Sequence, residues 1–242
     1  MKKANIISFR RLGVLRTLGI IFLASITFAA CTKNNDDGPE IPAAGLMAFN
    51  LAPDRASIGI GLSGTALTPT PLTYTSFTGG YLNIYPGNRR IEAYDYNLTD
   101  YFTNTTFNFE ENKYYSLFIL GANGNYDNVV VHDDFEGLSG SNGMAYVRYI
   151  NAIPDSGDTR VIVAAGGNNV VDQSEAYKYV SGFTPVTPGD ITITANNTDN
   201  DIELERTISL AEGRAYTVLL VGESATTGPA QIRFIENGRL SD

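Results

Sequence analysis

The fold is decided by two stretches, ENKYYSLFILG at residues 111–121 and EGRAYTVLLVG at 212–222. Each opens on turn-forming residues, passes through a tyrosine, runs almost unbroken through apolar side chains and stops at a glycine. A strand buried on one face alternates polar and apolar residues, whereas an unbroken apolar run of this length reads as a strand covered on both faces. The two stretches lie 101 residues apart. Working outward, NLAPD at 50–54 is matched by NAIPD at 151–155, and YPGNRRIEAYD at 85–95 by TPGDITITANN at 187–197, at offsets of 101 and 102 residues. Three motifs in one order at near-constant spacing indicate a duplicated domain, since a solenoid unit spans only about 20–45 residues.

Within each copy the texture is that of strands. GLMAFNL and AYVRYIN read as first strands, while RRIEAYDY, DITITAN, TFNFEE and TISLAE alternate. Period two places one face in a core and the other in solvent. After Cys31 no stretch sustains a helical apolar period over three turns, and VVDQSEAYKYV comes nearest to a helical turn. Roughly seven short strands per copy, separated by Gly, Pro, Asn and Asp, predict an all-β chain of two tandem immunoglobulin-like β-sandwiches. The expected divisions are 44–134 for the first repeat, a Gly- and Ser-rich linker at 135–142, and 143–242 for the second repeat.

The N-terminus reads as a signal peptide over residues 1–30. Lys2, Lys3, Arg10, Arg11 and Arg16 precede an apolar run from Leu18 to Ala30. That run is short of the ~20 residues a bilayer-spanning helix needs. FAAC, ending at Cys31, resembles a lipobox, with Phe28 where leucine is usual. On that reading Cys31 becomes an acylated N-terminus, residues 31–43 form its tether, and the membrane is a partner through the lipid. Thr32 points to outer-membrane sorting, and TKNNDDGPE resembles tags that lead to the cell surface.

Removing residues 1–30 takes away five of the 17 basic residues and none of the 26 acidic ones, which leaves a net charge of −14. Such a chain repels phosphate backbones, so nucleic acid is excluded as a main partner. Cys31 is the only cysteine, so the mature domains hold no intrachain disulfide.

Enzyme chemistry is hard to place. The chain has no G-x-S-x-G, H-E-x-x-H or P-loop, and its one histidine and one cysteine remove most nucleophile–base pairs. The expectation is a non-enzyme without cofactor or metal, with paired-carboxylate glycoside hydrolysis as the remaining catalytic alternative. The repeated motif, Asn50, Pro53 and Asp54 with Asn151, Pro154 and Asp155, is expected to be structural. Proline fixes φ near about −65° for the second position of a type I turn, and Asp bonds nearby amides. Tyr115 and Tyr216 enter the two central strands and are expected to tie their hydroxyls to loop backbone, as a tyrosine corner does. His132, Asp133 and Asp134 are adjacent and point to opposite faces, which disfavours a metal site. Asp199, Asp201, Glu203 and Glu205 fall at spacing two on one face of an extended segment, without the glycine and final glutamate of a calcium loop. GANGNYDN reads as a flexible loop.

The tyrosines are uneven: nine of fourteen fall between Tyr74 and Tyr126. Tyr74, Tyr81, Tyr85, Tyr94, Tyr96 and Tyr101, with Tyr126, exceed what one small core needs. The first six are the candidate binding surface for an envelope protein or a glycan, because a tyrosine ring offers apolar area and a hydroxyl at low entropy cost.

A first strand ending in Pro-Asp, a Pro-Gly before an alternating strand, and a G-x-x-Y-T-V-x-x-x-G strand together resemble the family of domains of unknown function numbered 4397. The second copy is closer to that pattern; the first has Asn112 for the glycine and YSL for YTV. The resemblance implies a sandwich fold and an envelope address, and it brings no catalytic residues. The expected function is that of a lipid-anchored, non-catalytic binding or structural module of the cell envelope. The alternative is a carbohydrate-binding accessory lipoprotein that uses the tyrosine-rich first domain.

Overall fold

The computed structural model describes residues 41–98, 100–222 and 229–241. The expected signal peptide, Cys31 and most of the expected tether lie outside the described residues.

The first half runs β1 (Ala44–Asn50), β2 (Ser57–Leu62), β3 (Thr65–Ala66), β4 (Leu72–Thr73), β5 (Leu82–Ile84), β6 (Gly87–Asp95), β7 (Tyr101–Phe109), β8 (Tyr114–Ala122) and β9 (Asn125–His132). The second runs β10 (Ala145–Asn151), β11 (Thr159–Ala165), β12 (Asn168–Glu175), β13 (Thr184–Val186), β14 (Gly189–Asn197), β15 (Ile202–Leu210), β16 (Arg214–Val221) and β17 (Gln231–Arg239). Each half is a sandwich of two sheets, and the two halves share one topology. Sheet β5-β1-β8-β9 has its twin in β13-β10-β16-β17, and β3-β2-β6-β7 in β12-β11-β14-β15. In each half the first strand pairs in parallel with the apolar central strand, β1 with β8 and β10 with β16, while the other pairings are antiparallel.

Alternation explains why the central strands are apolar throughout. In the first half Leu46, Ala48, Leu117 and Ile119 face inward and pack on Ile58, Ile60, Ile91 and Phe109. In the second half Val147, Tyr149, Val218 and Leu220 pack on Val161, Val163, Ile191 and Ile193. The residues between them point the other way. Met47, Phe49, Leu51, Phe118 and Leu120 meet Ile150, Ala152, Leu219 and Val221 in a third core, joining the inner sheets of the two halves. The unbroken run in β8 or β16 therefore records burial by its own sandwich on one face and by the neighbouring copy on the other.

Three local expectations are corrected. VVDQSEAYKYV is no helical turn: its first half is β12, paired with β11 from Ala165↔Asn168 to Thr159↔Glu175. GANGNYDN is no flexible loop but a tight hairpin between β8 and β9, with Asn123 and Gly124 both at positive φ (54° and 87°). That is the two-residue turn Asn-Gly favours, because its twist matches that of the strands. The acidic run is not one extended face: Asp199 lies in a 3₁₀ turn and Asp201 is left-handed, so only Glu203 and Glu205 sit on β15. The glycines that end the apolar runs are required by close approach. Gly121 and Gly222 have φ of 117° and 114°, and a Cβ on either would lie within 2.0 Å of Asn125 O or 2.7 Å of Ala230 Cα.

Segment 135–142 is fastened to both halves: Glu136 pairs with Lys113 of the first (2.6 Å), and its later residues bond the second. Ser139 N donates to Tyr146 Oη (3.1 Å) and Gly140 N to Ser241 O (3.1 Å).

Candidate functional surface

The repeated Asn-x-x-Pro-Asp motif is built into the frame. Asn50 is fully buried; its Nδ2 donates to Arg55 O (2.8 Å) and Leu72 O (3.1 Å), and its Oδ1 accepts from Ala52 N (3.2 Å). Asn151 does the same with Ser156 Oγ (2.9 Å), Glu175 O (3.2 Å) and Ile153 N (3.4 Å). Pro53 and Pro154 sit in turns closed by Arg55 N→Ala52 O and Ser156 N→Ile153 O. Asp54 reaches across to the β8–β9 hairpin, where its Oδ2 accepts from Asn123 N (2.8 Å) and Tyr126 Oη (2.5 Å). Asp155 is half-buried and borders a small cleft with Asp127 and Lys178. Tyr115 Oη accepts from Glu110 N and Tyr216 Oη from Ala211 N, each at 3.1 Å and each five residues upstream. The duplication thus extends to single hydrogen bonds.

His132 and Asp133 part company, as adjacent strand residues do: His132 is exposed and Asp133 is buried between the copies. There Asp133 anchors a closed ring of polar side chains. Its Oδ1 accepts from Arg148 Nη1 (2.5 Å), and its Oδ2 from Tyr81 Oη (2.5 Å) and Ser116 Oγ (2.6 Å). Arg148 Nε donates to Thr217 Oγ1 (2.9 Å), Thr217 donates to Asn237 Oδ1 (2.6 Å), and Asn237 Nδ2 returns to Tyr81 Oη (3.4 Å). The Asp133 and Arg148 side chains are 0% and 2% exposed. Burial, then Asp133, pushes the Tyr81 phenol well above its ordinary pKa, so it stays a donor. Arg148 is the residue that sequence reasoning passed over. A lone arginine in AYVRYIN, a strand covered on both faces, needs a buried anionic partner, and that was the available signal. Among the described residues no group of three His, Cys, Asp or Glu is placed to hold a metal ion.

The six candidate tyrosines do not form one surface. Tyr74 and Tyr81 pack against the third core, because the β4–β5 connection folds over the inner sheet. Tyr85, 63% exposed, stands at a separate cleft of about 460 Å³ lined by Leu62, Leu67, Leu82 and Arg89 among others. Tyr94, Tyr96 and Tyr101 remain on the outer sheet. Tyr94 and Tyr101 are cross-strand partners with ring centroids 5.5 Å apart at 62°. Tyr94 lies over Gly59, where an added Cβ would meet its ring at 2.2 Å. Tyr96 Oη donates to Pro69 O (3.2 Å), and Tyr101 is 64% exposed. Across this sheet, register aligns Gly59, Tyr94 and Tyr101, then Gly61, Glu92 and Asn104. The corresponding rows of the second copy read Arg160, Asn196 and Glu203, then Ile162, Thr194 and Glu205. Arg160 there makes a two-pronged ion pair with Asp172 (2.8 and 2.9 Å). One frame therefore carries an aromatic, glycine-floored row on the first copy, beside an Arg90–Glu92 ion pair (3.0 Å), and a charged row at the same place on the second.

The family described as domain of unknown function DUF4397 matches the chain twice, over residues 44–143 and 145–240. No curated protein matches it. Among solved structures, a candidate cell adhesion protein from Bacteroides uniformis aligns at 9% identity over 81% of this chain and 99% of its own, with a TM-score of 0.25. A family CBM26 module of Eubacterium rectale Amy13K, in complex with maltoheptaose, aligns at 9% identity over 81% and 97%, also at 0.25. Likeness this distant carries no argument about function.

Proposed function

The chain belongs to the DUF4397 family in two tandem copies, and on that premise we propose that it is a non-catalytic binding module of the cell envelope. Its ligand face is the outer sheet of the first copy, and its ligand is a neutral carbohydrate. One observation carries the reading: the Gly59–Tyr94–Tyr101 row, set against Arg160–Asn196–Glu203 at the same place in the twin. Rings beside exposed amide and hydroxyl groups at Asn104, Thr106 and Asn108 suit a polyhydroxylated ligand with apolar ring faces. The acidic charge of the chain disfavours polyanions. The second copy then serves as the frame, and Cys31 as the lipid anchor that holds the module at the outer membrane.

Alanine at Tyr94 and at Tyr101 should weaken retention on the bound polysaccharide by about two- to tenfold per ring. Affinity electrophoresis over a panel of neutral polysaccharides measures this. Retention that the double variant leaves unchanged, or no retention of the native protein on any polymer, would sink the carbohydrate reading. The anchor has its own check in cell fractionation: Cys31→Ser should move the protein from the membrane to the soluble fraction, and continued membrane retention would refute it.

A further inference from the structure

We propose that the outer edge of β7, which among the described residues forms a ladder with β6 alone, docks an extended segment of another protein that is basic at both ends. This stands apart from the outer-face reading, since it uses backbone rather than rings.

An edge strand offers a row of unpaired backbone groups, and proteins blunt such edges with charges or by keeping them short. Among the described residues the edge strands β3, β5 and β13 are only two or three residues long. The long edges are β7, β9, β12, β15 and β17. β9 carries Asp127; β12 carries Asp172 and Glu175; β15 carries Glu203, Glu205 and Arg206; β17 carries Arg233, Glu236 and Arg239. β7 is YFTNTTFNF, without charge, proline or glycine. It pairs with β6 along its length, from Gly87↔Phe109 to Tyr94↔Tyr101, and with no other strand. Its twin β15 carries two acids and an arginine. One copy thus keeps the guard that the other lacks. Nine residues give an edge of about 30 Å, enough for a peptide strand.

The ends of β7 select the occupant. Asp100 precedes the strand, Glu110 and Glu111 follow it, and all three are exposed. The nearby Lys113 is engaged by Glu136 at 2.6 Å. A second copy of the chain, added antiparallel about Thr105, would set Asp100 opposite Glu110 at both ends, and like charges directly opposed are unfavourable. A segment with lysine or arginine at its ends meets acids at both.

A synthetic peptide with an alternating threonine–valine core and lysines at each end is the probe, titrated into the isotope-labelled protein. It should give new hydrogen-exchange protection on alternate amides of residues 101–109. N-methylation of alternate core residues should weaken binding at least about tenfold, because several backbone hydrogen bonds are lost together. Glutamates in place of the terminal lysines should also weaken it. Tyr94→Ala, which removes a ring and leaves the edge intact, should bind the peptide as the native protein does. Binding indifferent to N-methylation or to the sign of the end charges would overturn the proposal, as would absent protection in β7 or self-association of the chain through this strand.

Discussion

Replacing Asp133 with alanine is expected to destabilise the protein by about 3–5 kcal/mol, the cost of leaving a buried charge without its partner. Arg148 would keep its place between the copies, 4.6 Å from the Phe183 ring centroid, with no carboxylate beside it. Tyr81 and Ser116 would also lose the acceptor that both now use. Much of this penalty belongs to the uncompensated arginine rather than to the pair. Asp133→Leu combined with Arg148→Met should therefore cost less than either change alone. Urea unfolding followed by circular dichroism measures both. A single variant within about 0.5 kcal/mol of the native protein, the usual range for surface changes, would show that the ring is not buried as described.

Phe118→Ala should cost about 3–5 kcal/mol, the range for deleting a fully buried aromatic side chain. Phe118 is fully buried in the third core, with its ring centroid 4.7 Å from that of Phe49. Its position gives the change a signature that an ordinary core deletion lacks. The cavity opens against Ile150, Leu219 and Val221 of the other copy, so hydrogen exchange should accelerate in β10 and β16 as well as in β1 and β8. Faster exchange confined to the first copy would contradict the shared core.

These expectations rest on features of unequal legibility. The strands that alternate, and the two that do not, were readable because burial imposes its period directly on side-chain type. The duplication was readable because the motifs are turns and caps, whose geometry tolerates few residues. Asn50 and Asn151 each spend both ends of a buried amide on the turn that follows. What covers the second face of β8 and β16 was not readable. An apolar run records burial and is silent about its source, so the packing of one copy on the other had no local sign except Arg148. The tyrosine surface was half readable. Clustering in sequence placed Tyr74 and Tyr81 with Tyr94 and Tyr101, while the sandwich sends the first pair inward and the second outward. The glycine floor under Tyr94 became visible only when register set Gly59 beside it.

Scanning calorimetry of the protein tests most directly whether the third core makes the two copies one cooperative unit. The shared core and the Asp133–Arg148 ring predict a single transition whose calorimetric and van't Hoff enthalpies agree. Two separable transitions, one for each copy, would contradict it.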